Sequence, residues 1–498
     1  MIRDAVIIGG GPGGSAAAAL LARWGYSVMV LARGSSRDAM AESLPPSASK
    51  LLARVGMLGA VEQGSFVRST GNCVRWASGE TRQEYFGRGV AGWQLRRDVF
   101  DQALLASARQ AGVTVVHDVS ARDVSIPSGD GTREVVYESD GGRRTVRARW
   151  ILDCTGRTGI VARRGWRTPE SAARTLAIVG VWTREGPWGL MDDTHTVVES
   201  YDDGWAWSIP VSRSIRYVTV MVDPAYTSIG SGAALAATYS AALARTTAIR
   251  ELVERATPTG MPWARESSPY GFSSAGENGM LLVGDAASFV DPLSSFGIKK
   301  ALASAWLAAV TVHAALRDSA IVSPAIELYG LREREMHTEL QRQAVTLARD
   351  AALPHGSQFW GDRTGSVISA DSREDGGLVS ATRATRAAFE EIRTRPRIAL
   401  QYARTLAYVP KAIVTGDDIT VLPHLVTSAT PRGIRFVRNV DVVQLCELAP
   451  GFDQVPDLYD AYNRRTNSTV ALSDFLAALA TLVGVGALHS LDSPLPGL

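Results

Sequence analysis

Cysteine is scarce in this chain. It carries three in 498 residues, Cys73, Cys154 and Cys446, far apart and with no Cys-x-x-Cys spacing. That argues against a disulfide framework and against a zinc site, so no metal is expected and a reducing, cytoplasmic setting is. An excess of one charge is equally lacking: 52 Lys plus Arg face 50 Asp plus Glu, a formal net charge of +2. The basic residues, mostly arginine, are scattered, and no footprint for nucleic acid or an anionic membrane is expected. No basic region and apolar run precede the first strand pattern, Ala5-Val6-Ile7-Ile8, so no secretory leader is read there. No uncharged apolar stretch reaches membrane-spanning length; the run near 470–487 is broken by Ser473, Asp474 and glycines and reads as a core helix. What is present is 46% hydrophobic and 20% charged, enough for two or three domains with their own cores.

Residues 5–31 read strand, turn, helix, strand, and the turn holds Gly9-x-Gly11-x-x-Gly14. In that spacing Gly9 permits the tight turn, Gly11 lets backbone amides approach a pyrophosphate, and Gly14 lets the helix pack close to the strand. The helix N-terminus then turns its partial positive charge toward the phosphates. One expected residue is missing. The second strand ends Val30-Leu31-Ala32-Arg33, with Ala32 where an acid would hold the adenosine ribose. Arg33 becomes the candidate to stack on or bond the adenine side, and weaker or exchangeable cofactor binding is expected.

Later stretches bear on which dinucleotide is bound. A strand from Met280 to Val283 ends at Gly284-Asp285, and a loop leads into a helix beginning near Gly297. There Asp285 can accept from a ribityl hydroxyl, while amides near Gly297 and Ile298 can face a flavin pyrimidine ring. Gly92–Asp101 places the basic pair Arg96-Arg97 before an amphipathic helix, and Trp150–Gly156 is a buried strand ending in a glycine turn. The Gly9 fingerprint, the Asp153-Cys154-Thr155-Gly156 turn and the Gly284-Asp285…Asp291-Pro292 stretch together resemble group A flavoprotein monooxygenases and flavin-dependent halogenases. The resemblance spans about residues 1–330, with the motifs in the family's order. It implies an α/β fold: a Rossmann-type FAD-binding domain of the p-hydroxybenzoate hydroxylase kind with an antiparallel β-sheet substrate domain. It also implies that Arg97 contacts FAD and that Pro292 lies near the flavin ring.

Between about 175 and 275 short alternating runs suit an antiparallel sheet. Within it Gly204-Trp205-Ala206-Trp207-Ser208-Ile209-Pro210 resembles the WxWxIP signature of flavin-dependent halogenases. Trp205 and Trp207, at i and i+2, share one strand face, where they line a flat pocket or simply fill core volume. Those halogenases use a lysine beside the substrate, standing before a Gly-containing strand that ends in Trp. The matching stretch here is Phe66–Trp76, and the lysine position falls on Ser69, or on Arg68 with a one-residue slip. Serine is no substitute, and a guanidinium that stays protonated is a poor nucleophile. Lys50 reads as a solvated helix residue. Two further stretches, Glu42–Ser47 and Asp291–Ile298, are similar to the flavoproteins of quinone-cofactor maturation, which hydroxylate an aromatic side chain in a partner polypeptide.

The resemblance therefore implies a FAD-dependent monooxygenase acting through a flavin C4a-hydroperoxide on an aromatic or electron-rich substrate, free or peptide- or carrier-bound. A halogenase, a FAD-dependent reductase or dehydrogenase, and a non-catalytic peptide-binding flavoprotein stay open beside it. No second glycine fingerprint appears, so electrons are expected from transient NAD(P)H or from a partner flavin reductase. No catalytic base stands in a motif. His195 and His355 read as surface or satisfied core histidines, and Glu42 either faces the flavin or substrate or plays a structural role.

The expected layout is a FAD domain at 1–175 and 276–330, a sheet domain at 176–275, a helical region at 331–425 and a helical or winged-helix-like module at 426–498. Residues 326–353 read as one long amphipathic helix, 372–377 as a loop, and 380–412 as Arg-rich helix. "VGVGALHSL" reads as a short wing, and the tail at 493–498 as a loose end.

Overall fold

The apolar run Ile2–Ile8 is the middle strand of a parallel array ordered Met280–Leu282, Gly142–Asp153, Ile2–Ile8, Val28–Leu31, Thr114–Val116. Ile8 is level with Asp153 on one side and Leu31 on the other, and Asp153 with Leu282. Four strands therefore end together, and the three glycine-bearing turns all leave from that edge. Ala5, Val6 and Ile7 are fully buried, as strands covered on both faces must be. The helix after the first turn, Pro12–Arg23, buries Ala16 to Ala19 completely. Methyl-sized side chains let it pack at once against the helices Gly297–Arg317 and Arg97–Gln110. An antiparallel hairpin, Ser120–Val124 with Arg133–Ser139, extends the sheet beside the first half of Gly142–Asp153.

This computed structural model describes residues 2–34, 38–77, 79–170, 173–294, 296–365, 372–394 and 397–490. It forms two units, Met1–Val367 and Ile368–Leu498. No helix among the described residues is long and apolar enough to cross a membrane.

In the first unit a second sheet runs Thr257–Glu266, Leu176–Thr183, Ile215–Val222, Gly204–Pro210, Thr196–Tyr201, Gly71–Arg75, Arg82–Tyr85. It is not confined to 176–275. Two strands come from 71–85, and Gly71–Arg75 pairs parallel with Thr196–Tyr201, so the sheet is mixed at that one seam. The physical reason is burial: Cys73 shares a core with Ile178, Val197 and Val220. Helices Ala233–Ala244 and Ala248–Val253 cover that face. On the other face Ala177, Trp205 and Met221 pack with Ala348, Ala351, Phe359 and Trp360, from the long helix Val322–His355 and the short helix Gln358–Thr364. The expected amphipathic helix is therefore real, and it roofs the sheet.

The second unit corrects the helical expectation for 380–412. A helix covers Ser372–Thr394, including the 372–377 span read as loop. From Leu400 the backbone is strand instead: Leu400–Tyr402, then a meander of Ala407–Thr415, Asp418–Thr427 and Thr430–Ile434. The β-branched residues along this stretch favour the pleated surface over a helix. Helices Val442–Leu448, Val455–Thr466 and Leu472–Gly484 enclose a core built on Leu458, Tyr462, Phe475, Leu479 and Leu482. Within "VGVGALHSL", Leu488–Ser490 is a strand paired with Leu400–Tyr402; the long hairpin lies earlier, at Ala407–Thr427. The tail at 493–498 lies outside the described residues.

Candidate functional site

At the level edge of the parallel strands the first turn is shaped by missing side chains. Gly9 has φ +110°, and a methyl there would lie 2.4 Å from the Cys154 carbonyl oxygen. A methyl on Gly14 would lie 1.9 Å from the Gly9 carbonyl oxygen. Gly11 differs: the nearest atom to a methyl there is Asp101 Oδ2 at 3.8 Å, so the space before it is open. Gly11 also precedes the first turn of Pro12–Arg23, whose amides receive no side-chain cap. An open cradle before uncapped helix amides fits a pyrophosphate. The neighbouring turn is tied by Asp153, fully buried, which accepts from Thr155 N at 3.1 Å, Thr155 Oγ1 at 2.6 Å and Val161 N at 2.8 Å. Ala32 is buried at the second strand's end, and Arg33 is exposed one residue beyond.

A line of charge runs from this cradle. The Arg97 fork donates to both Asp101 carboxylate oxygens at 3.0 Å and to Glu42 Oε1 at 2.5 Å. Glu42 Oε2 in turn lies 3.8 Å from where a Gly297 side chain would begin. Glu42 and Arg97, 55 residues apart, meet because Ala41–Leu44 and Gly92–Arg96 pair as antiparallel strands. Burial raises the Glu42 carboxyl above the usual range, while Arg97 pulls it down. Asp285 stands nearby with Lys300 Nζ at 3.3 Å from Oδ1. Lys300 is 4% exposed and also donates to the carbonyls of Gly284 and Ser288. The sequence reading passed over Lys300, a cation on the otherwise apolar face of Gly297–Arg317. Ile298 is buried in the first turn of that helix.

Beside the second sheet lies a partly open cavity, lined among others by Trp205, Trp360, Val290, Asp291, Leu293 and Val345. Pro292 stands between two of these residues, in a short 3-10 turn. Trp205 and Trp207 stack, with centroids 4.7 Å apart and planes 28° from parallel. Trp205 reaches the cavity while also packing edge-on against Trp76 at 6.4 Å. Five polar lining residues stand in no sequence motif as site residues: Glu170, Thr175, Gln341, Arg363 and Asp291, the last seen only as the neighbour of Pro292. Burial pushes the Asp291 carboxyl up to about 6.

Ser69 and Arg68 are not on that wall. Ser69 is 1% exposed and its hydroxyl donates to the Gly71 carbonyl at 3.0 Å. Arg68 is exposed and lies over the Trp93 ring at 4.5 Å. The chain has four lysines, Lys50, Lys299, Lys300 and Lys411. None is among the described residues lining the cavity. Both histidines have partners: His195 bonds Thr70 and Gln83, and His355 bonds Ser200 and Asp202.

Comparison with known proteins gives these features a setting. The family profile described as tryptophan halogenase matches residues 75–392. Flavin-dependent halogenase armH3 of Armillaria mellea is 28% identical over 363 residues, covering 67% of this chain and 72% of that protein. Among solved structures, the flavin-dependent halogenase CmlS superposes with a TM-score of 0.78 at 19% identity, over 99% of this chain and 96% of its own. The peptidyl tryptophan dihydroxylase QhpG superposes at 0.70 and 23% identity, over 97% and 99%. At those identities the two structures speak to the fold.

Proposed function

The chain belongs to the tryptophan halogenase family, and we propose that within it this flavoprotein is a FAD-dependent monooxygenase hydroxylating an aromatic or other electron-rich ring. Bound FAD, once reduced, supplies the electrons that activate dioxygen, one oxygen atom entering the ring and the other leaving as water. The remaining tasks fall to the chain. Gly9, Gly11 and Gly14 shape the pyrophosphate cradle, and Arg97, held by Glu42 and Asp101, fixes the cofactor's flank. Asp285 accepts from the ribityl chain, while the amides of Gly297 and Ile298 face the pyrimidine ring. Arg33 contacts the adenine side. Pro292 separates the flavin from the cavity, and Trp205, backed by the stacked Trp207, walls the cavity and excludes water.

What supports oxygen transfer over halogen transfer is the wall itself: no lysine is among the described residues that line the cavity, and Ser69 turns its hydroxyl to its own backbone. Two electron sources are compatible with a chain that has no second glycine fingerprint, transient NAD(P)H or a partner flavin reductase. A substrate carried on a peptide or carrier protein is the form we favour, because QhpG, of like fold, acts on a peptidyl tryptophan. The family match favours a second reading, halogenation by a route without the usual lysine.

The test loads the protein with FAD, reduces it anaerobically and mixes it with oxygenated buffer, with and without bromide, beside a hypohalite-trapping dye. For the hydroxylase, the return of oxidised-flavin absorption is indifferent to bromide and the dye stays unchanged. Bromide-dependent bleaching of the dye would establish the halogenase in its place.

A further inference from the structure

The cavity holds an acid that the flavin reading leaves idle. Glu170 lines it, and both of its carboxylate oxygens are engaged from one side by the long helix. His337 Nε2 lies 2.5 Å from Oε1, and Gln341 Nε2 donates to Oε2. His337 and Gln341 are four residues apart, so one helical turn presents both donors on the same face. The carboxylate is packed against Gly271, where a methyl would lie 2.3 Å from Glu170 Oε1 and 3.2 Å from Thr168 Oγ1. Gly271 is absent from the positive-φ residues, so this glycine supplies room and not backbone freedom. The carboxylate is thus held by two donors on one side and by Gly271 on another, and its remaining lone pairs are left for the cavity.

The other charges around the cavity narrow what it accepts. Arg363 is already occupied by Asp223 at 3.0 Å, Thr175 Oγ1 at 2.9 Å and the carbonyls of Phe359 and Arg174. Asp291 is the second acid on the wall. Among the described residues there, a ring bearing its own carboxylate would meet two acids and no spare cation. A neutral ring with a hydroxyl or N–H donor meets an acceptor.

We infer that Glu170 accepts the proton of a hydroxyl or N–H on a neutral aromatic substrate, with His337 and Gln341 as positioning residues. This rests on the reading of the cavity as the seat of the ring. In the step, the substrate's O–H or N–H bond breaks, its electron pair stays on the heteroatom and enriches the ring, and the proton passes to Glu170. After oxygen enters, the ring's C–H proton leaves with the second oxygen atom as water, and the heteroatom takes its proton back from Glu170.

The probe is 4-nitrophenol, whose phenolate is yellow, titrated into the FAD-loaded protein across pH and followed by difference absorption. In the wild type the bound phenol donates to the Glu170 carboxylate and ionises at a higher pH than in buffer, because its phenolate would stand beside a like charge. In Glu170→Gln, and independently in Gly271→Ala, that shift disappears while FAD content is unchanged. His337→Gln, which keeps an N–H donor, retains most of the shift that His337→Leu loses. Equal ionisation in wild type and Glu170→Gln overturns the assignment, as does failure of 4-nitrophenol to bind either protein. A wild type that shows the shift yet transfers no atom from dioxygen to any product sinks the hydroxylase reading and leaves Glu170 as proton acceptor.

Discussion

Trp205 stacks on Trp207 at 4.7 Å, and of the two only Trp205 reaches both the cavity and the apolar core behind it. One side chain then serves two ends, which truncation separates from its neighbour's role. Trp205 is 3% exposed, so Trp205→Ala is expected to cost about 3–5 kcal/mol of folding stability. Trp207 is only partly buried, and Trp207→Ala should cost clearly less. Urea denaturation of the two variants checks the order; equal losses would place Trp205 outside the core.

Gly11 and Gly14 are expected to fail in different ways. Gly14→Ala drives a methyl into the Gly9 carbonyl, so the cofactor-free protein itself should lose stability. Gly11→Ala meets nothing closer than 3.8 Å, so circular dichroism and Tm of the cofactor-free protein should stay at wild-type values. Its methyl would fill the open cradle instead, and FAD affinity should fall at least about tenfold, or ~1.4 kcal/mol. A fluorescence titration with FAD decides it, and unchanged affinity would mean that the pyrophosphate lies elsewhere.

Arg97 cannot be replaced by lysine without loss. Its planar fork reaches Asp101 with two nitrogens and Glu42 with a third, and an ammonium cannot reproduce that geometry. Arg97→Lys should therefore weaken FAD binding although charge is kept. In Arg97→Ala the Glu42 carboxyl loses the pull that opposes its burial and rises further. An acid raised in the folded state penalises folding only above its unfolded pKa, where the chain would otherwise release the proton. The stability deficit of Arg97→Ala against wild type should thus widen from pH 5 to pH 8, as denaturation at both values would measure.

How much of this was legible depends on how local each feature is. The Gly9 turn, the Asp153 turn and the Gly284-Asp285 turn are each written in a few adjacent residues, and the Trp205/Trp207 face follows from the strand's period of two. The strands at 71–85 were hidden because their partner, Thr196–Tyr201, lies more than a hundred residues on, and alternation does not name a partner. Glu170 escaped for the same reason. Its partners His337 and Gln341 lie 167 and 171 residues away, and no motif links them. In the second unit, arginine spaced along 380–412 imitates a helical face. Lys300 was legible in principle, as the one of two adjacent lysines that falls on the face of Ile298 and Leu302, both buried.

A second deeply buried acid in the first unit gives the last prediction. Glu333 is 1% exposed, and burial pushes its carboxyl up to about 7 against the pulls of Lys300 and Ser304. Below the ordinary carboxylate pKa of 4.5, folded and unfolded chains both hold the proton, and the group contributes nothing to pH dependence. Between 4.5 and about 7 only the folded chain holds it, so stability falls as pH rises through that window. Above it the loss is complete, at most about 3 kcal/mol from the size of the shift. Glu333→Gln carries no proton to lose. Its stability relative to wild type should therefore be higher at pH 8 than at pH 5, with the change concentrated between those values. Denaturant unfolding at pH 5, 6, 7 and 8 measures this, and a flat difference across the series would mean that Glu333 is charged in the folded protein.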